Sequence, residues 1–207
     1  MSKKSTTSFW ASPLLWILLL VGGAALLAIL LASREDTPVS VALETSTVEI
    51  SGQALPPFSD PDLGLGQSAP SITATTLEGD RVQVPSAGSP RVIGFFAHWC
   101  PHCQAEVPNV VEWLDAADLP GGVDVLAVST SVNESADNYP PSAWFARTRW
   151  PNTVLLDSPE GEIAASYGLT AFPYWVAVDA DGTVARRHSG SMDEATFRDL
   201  MAAALGS

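Results

Sequence analysis

Cys100 and Cys103 are the only cysteines in 207 residues, and they stand where a strand-like run gives way to a helix-like one. Upstream, Arg91 to Ala97 is a continuous apolar run of the kind a buried parallel strand shows. Downstream, Pro101 to about Ala117 has helical periodicity, with Val107, Val110, Val111 and Leu114 on one face. The segment Phe95-Phe96-Ala97-His98-Trp99-Cys100-Pro101-His102-Cys103 therefore places the first thiol at a helix start. Free N–H groups and the positive end of the helix favour a thiolate there. Pro101 suits the first turn, because it has no N–H that would need an intrahelical partner. The first sulfur is expected to be exposed and reactive, the second shielded one turn on. Cys100 is then the attacking thiol and Cys103 the resolving one.

Other uses of the pair fit poorly. A structural disulfide closing so short a loop removes little unfolded-state entropy and is easily reduced. A zinc site needs four ligands, and beyond the thiols the chain offers only His98, His102 and His188. Haem attachment through Cys-x-x-Cys-His fails, because Gln104 follows Cys103. Asp179-Ala180-Asp181-Gly182 resembles a fragment of a calcium loop but lacks the remaining ligand positions and reads as a hairpin turn. No metal site and no cofactor beyond a Cys100–Cys103 redox disulfide is expected.

The charge is unevenly spread. All 23 acidic residues follow residue 33, against eight of the ten basic ones, so the body carries a balance of −15. Such a surface repels phosphate backbones, and no basic cluster offsets it, so nucleic-acid binding is not expected. From Leu14 to Ala32 run 19 residues without a charge, about 29 Å as a helix, which matches a bilayer core of about 30 Å. Lys3 and Lys4 precede the run and acidic residues follow it, which places the N-terminus in the cytoplasm and the rest outside. A cleaved signal peptide is the competing reading, but its apolar region is usually only about 7 to 15 residues. The expected organisation is a cytoplasmic N-terminus and transmembrane anchor at 1–33, an extracytoplasmic linker at 34–66 and a folded domain at 67–207.

Within the linker, Val39 to Ile50 alternates as an edge strand would. In the domain, Ile72–Thr76 and Arg81–Val84 flank Glu78-Gly79-Asp80 as a hairpin. Strands are expected at Arg91–Ala97, Val123–Ser129, Thr153–Asp157, Tyr174–Val178 and Val184–His188. Helices are expected from Pro101, at Ala143–Thr148, Gly161–Tyr167 and Asp193–Leu205. This pattern describes an α/β fold, one sheet of mixed direction with helices on both faces.

The pieces Ala69-Pro70, Leu77-Glu78-Gly79, Trp99-Cys100-Pro101-His102-Cys103, Glu106-Val107-Pro108 and Thr170-Ala171-Phe172-Pro173 resemble the thioredoxin superfamily over residues from about 65 to 205. Within it they are similar to the membrane-anchored TlpA/ResA-like proteins. The resemblance implies a thioredoxin-like mixed sheet and thiol-disulfide exchange. It also implies a cis-proline at Pro173 facing the active cysteine, substrate contact through Trp99, Phe172 and Pro173, and an active-site acid at Glu106. Pro108 matches the helix kink. Thioredoxins carry a buried acid six residues before the first cysteine, and Gly94 stands there, so Glu106 is the candidate for that work. Pro101-His102 is the dipeptide of DsbA-like oxidants, but the 69 residues between Cys103 and Pro173 are too few for the helical domain that fold inserts. The implied partners are extracytoplasmic thiol or disulfide proteins and an integral-membrane redox protein.

Two other classes share the fold. Sco-like copper proteins resemble a Cys-x-x-x-Cys pair plus a distant His, a spacing absent here. Peroxiredoxins place a Thr three residues before the peroxidatic Cys, where Ala97 stands. His98 is read as shaping the substrate surface with Trp99. His188, Trp113, Trp144, Trp150 and Trp175 are read as packing. Asn133-Glu134-Ser135 fits a glycosylation pattern, a short and weak signal.

Overall fold

The computed structural model describes residues 44–85, 87–116 and 119–206. The apolar run 14–32 and the first part of the expected linker lie outside the described residues. Among the described residues, no helix is long and apolar enough to cross a membrane.

The described residues form, in chain order, β1 (Glu49–Ser51), β2 (Ser71–Thr75), β3 (Arg81–Val84), β4 (Arg91–Phe96), α1 (Pro101–Asp115), β5 (Asp124–Ser129), α2 (Pro141–Thr148), β6 (Val154–Leu156), α3 (Glu162–Ser166), β7 (Tyr174–Val178), β8 (Val184–Ser189) and α4 (Glu194–Ala204). The central sheet has the order β6-β5-β4-β7-β8. β4 pairs in parallel with β5, and β5 with β6, whereas β7 runs antiparallel to both β4 and β8. This is a thioredoxin-like α/β fold with a mixed sheet. The expected hairpin forms, but β2 and β3 join β1 in a separate antiparallel sheet rather than opening the central one. The burial patterns explain the split. β4 is buried at all six positions, as a strand covered on both faces must be, while β2 buries only Ile72 and Ala74.

Alternation along the central strands divides the core in two. Val92 and Phe96 of β4 and Trp175 and Ala177 of β7 pack with Val107 and Val110 of α1, Trp144 and Phe145 of α2, and Phe197 and Leu200 of α4. Ile93, Phe95, Tyr174 and Val176 pack on the other face with Ile72 and Ala74 of β2 and Ile163 of α3. The first of these layers carries the helix that begins at the cysteines.

Residues 44–66, expected as a linker with an edge strand, are part of the folded unit. β1 extends the small sheet, Leu55 is buried, and the N–H groups of Ser46, Leu55 and Phe58 donate to the carbonyls of Asp157, Ser166 and Gly168. Arg187 holds the end of this segment through Asp62 and the carbonyl of Pro56. The Ser, Pro and Gly content signals irregular backbone, and here that backbone is irregular but tied down.

Candidate active site

Cys100 is the N-cap of α1, and its Sγ accepts the N–H of Cys103 at 3.4 Å. That bond turns the thiol back over the helix start, so Cys100 is only 5% exposed rather than open as expected, while Cys103 is fully enclosed. Both are free thiols. Burial pushes the Cys103 thiol well up, and the neighbouring Cys100 and Glu106 add to that, against a backbone hydrogen bond at Ala97 that favours the thiolate. The helix continues through Pro108.

The approach to the thiols is built from two neighbouring strands, the end of β4 and the start of β7. Trp99 is half-exposed, its Nε1 donating to the Ser131 carbonyl at 2.7 Å and its ring standing perpendicular to Phe172, with 6.0 Å between centroids. Phe172-Pro173 is a cis peptide, and Pro173 directly precedes β7, whose Tyr174 pairs with Phe95 near the end of β4. Topology thus carries the cis-proline loop to the side of the sheet where α1 starts. His98, expected at the substrate surface, is instead buried. Its Nδ1 donates to the Asp137 carbonyl at 2.9 Å and its Nε2 accepts the Asn133 N–H at 3.2 Å, clamping the 131–139 loop. Those two bonds fit the neutral ring with the proton on Nδ1.

Glu106 is buried beneath α1, one turn beyond Cys103. Oε1 accepts the indole N–H of Trp175 at 2.8 Å, and Oε2 accepts the Met192 N–H at 2.7 Å. Burial raises its carboxyl above the ordinary value; the two N–H bonds and the charges of His188 and His102 oppose that without cancelling it. Gly94 explains why no acid stands on β4. It pairs with Trp175 across the sheet, and a Cβ there would lie 2.7 Å from ring atoms of both Phe96 and Trp175. The indole takes the space and delivers a hydrogen bond to the acid on the helix. His102 is exposed, with Nδ1 3.5 Å from the Ser191 hydroxyl, and His188 Nε2 lies 3.3 Å from the Ser191 carbonyl.

Residues 64–203 match the family model described as Redoxin. The chain belongs to the Redoxin family. Among its relatives, the thiol:disulfide interchange protein DsbE homolog of Paracoccus denitrificans is 30% identical over 73% of this chain and 83% of its own length. The thiol-disulfide oxidoreductase ResA of Bacillus thuringiensis is 25% identical over 66% and 76%. Among solved structures, a secreted Mycobacterium tuberculosis disulfide oxidoreductase described as homologous to E. coli DsbE is 27% identical, with a TM-score of 0.53 over 63% of this chain and 94% of that one. This Redoxin-family chain is a TlpA/ResA-like thiol-disulfide oxidoreductase of the thioredoxin superfamily.

In this family member, Cys100, Pro101, His102, Cys103 and Glu106 share the first two turns of α1, and Trp99 meets Phe172 beside them. Sequence reasoning missed Trp175, the Ser191-Met192 backbone and the Ser131 carbonyl. An aromatic paired with a glycine is the one signal for Trp175, and it is readable only once the β4–β7 register is known. Among the described residues, no three His, Cys, Asp or Glu side chains converge as a metal-binding group.

Proposed function

We propose that the protein exchanges disulfides with extracytoplasmic protein substrates through Cys100-Pro101-His102-Cys103, with no bound cofactor beyond that redox pair. The observation that carries this reading is the asymmetry of the thiols: Cys100 caps the helix start and keeps 5% exposure, whereas Cys103 is fully enclosed and burial holds its proton firmly. In the reducing direction the Cys100 thiolate attacks a substrate disulfide, forming a mixed disulfide and releasing one substrate thiolate. Cys103 then gives up its proton, with Glu106 as acceptor, and attacks Cys100 Sγ. The second substrate sulfur leaves with the bonding electrons, and the Cys100–Cys103 disulfide remains. The reverse sequence oxidises a dithiol. Trp99, Phe172 and Pro173 form the substrate-facing rim.

His102, between the thiols at the helix start, is the side chain we assign to stabilising the reduced pair, which makes the protein a stronger oxidant than thioredoxin. A potential between about −270 mV and about −120 mV is expected, the thioredoxin and DsbA figures. Equilibration with glutathione buffers tests this. The His102→Ala variant is expected to lie roughly 30 to 60 mV lower; an unchanged or higher potential removes the role given to His102.

The apolar run Leu14–Ala32 supports anchorage by a single span, N-terminus inside, with an integral-membrane redox protein restoring the pair. The intact protein is expected to stay with membranes through a carbonate wash. A soluble mature form beginning near Ser33 counts against the anchor.

A further inference from the structure

We propose that Trp175 is a positioning residue for the resolving step: its indole N–H fixes the carboxylate of Glu106 in the charged, proton-accepting form beneath Cys103. The proposal rests on the disulfide-exchange reading and assigns a task to a side chain that sequence pattern presents as core packing.

Three features of the geometry converge on it. Trp175 is fully buried, and its ring fills the space over Gly94 that any larger residue would need. A buried indole must place its N–H, and this one is satisfied by Glu106 Oε1 rather than by a backbone carbonyl. The second oxygen of Glu106 takes the Met192 N–H from the loop between β8 and α4, so the carboxylate is pinned from two separate elements. An N–H donated to a carboxylate favours its ionised form. Burial works the other way. The titratable groups that bear on Glu106 are Cys103 and His102 on its own helix and His188 on β8. None of these donates a hydrogen bond to it, so among the described residues the indole is the one side chain that donates to this acid.

When Cys103 attacks the mixed disulfide, its proton passes to Glu106, a Cys103–Cys100 S–S bond forms, and the Cys100–substrate bond breaks with its electron pair on the substrate sulfur. Each pass needs Glu106 unprotonated at the start. Losing the indole N–H makes the acid hold its proton to higher pH and slows resolution on the acid side of the profile.

The test uses the reduced full chain in detergent and a symmetric chromogenic aromatic disulfide. One coloured thiolate is released when Cys100 attacks, and a second when Cys103 resolves. Trp175→Phe keeps an aromatic ring over Gly94 and removes the N–H. It is expected to leave the first release unchanged, slow the second about tenfold on the acid limb, as fits the loss of a hydrogen bond to a charged group, and spare the alkaline plateau. Glu106→Gln is expected to abolish that limb, and Trp175→Phe added to it to change nothing further. An unmoved acid limb in Trp175→Phe, or an equal effect in the Glu106→Gln background, overturns the proposal. Absence of the first release in the unmodified chain overturns the disulfide-exchange reading instead. Should Trp175→Phe not fold, the unmodified protein still decides the matter. The Trp175 indole N–H resonance is expected to shift with pH at the midpoint of the acid limb and to lose that shift in Glu106→Gln. A resonance indifferent to pH overturns the assignment.

Discussion

Arg187 is a fully enclosed cation whose side chain ties the chain ahead of the hairpin to the last strand of the central sheet. Its Nε donates to Asp62 at 3.0 Å, its Nη1 to the Pro56 carbonyl at 2.9 Å and to the Tyr174 hydroxyl at 3.2 Å, and its guanidinium lies 5.7 Å from the Phe58 ring centroid. Burying a charge is tolerated only when it is fully paired, and here every direction has an acceptor. Arg187→Met is expected to cost about 3–5 kcal/mol, because it strands the Asp62 carboxylate and the carbonyls around it. Urea unfolding at neutral pH measures this, and a loss under about 1 kcal/mol would contradict the role. Burial pushes the Asp62 carboxyl up, but the Arg187 hydrogen bond, the Gly64 N–H and the Arg187 charge together hold it below its ordinary value of 3.8. A depressed carboxyl contributes stability that is present above that ordinary value and is lost as pH falls through the folded-state value. The gap between the native chain and Arg187→Met is therefore expected to narrow on acidification below about pH 4.

At the scale of elements, what was legible in the sequence is what local pattern encodes. The apolar run of β4, the helical face of α1 and the hairpin at Glu78-Gly79-Asp80 announce themselves within a few residues, and the structure places each of them there. Residues 44–66 do not, because apart from the pairing of β1 with β2 much of their order comes from distant partners, such as Ser46 with Leu156 across 110 positions and Arg187 with Pro56 across 131. No periodicity records such contacts, and a composition rich in Ser, Pro and Gly fits a tied-down strap as well as a free linker. The same limit explains Trp175 and His98. Trp175 meets Glu106 across 69 positions and His98 meets Asp137 across 39, so Trp175 looks like packing and His98 like part of the substrate surface until the topology is known. Cys100, Pro101 and Cys103 were readable because one helix start holds them, whereas Glu106 and Phe172-Pro173 were named only because a resemblance supplied what spacing could not.

Across the whole molecule, two adjacent strands of opposite direction supply one reactive corner. The parallel half, β4 with β5, delivers the strand-to-helix junction with its two thiols, and the antiparallel β7 delivers the cis-proline loop and the indole that reaches Glu106. The second sheet and the 44–66 strap pack against the other layer of the core, away from the layer that carries α1. A charge balance of −15 over the body does not by itself select a protein substrate. The claim that holds the account together is the division of labour between an attacking Cys100 and a resolving Cys103. It is tested most directly by trapping mixed disulfides in cells that express either single variant. Cys103→Ser is expected to accumulate substrate adducts through Cys100, because the thiol that would release them is gone, while Cys100→Ser traps none. Equal trapping by the two variants, or adducts through Cys103 alone, would contradict the account.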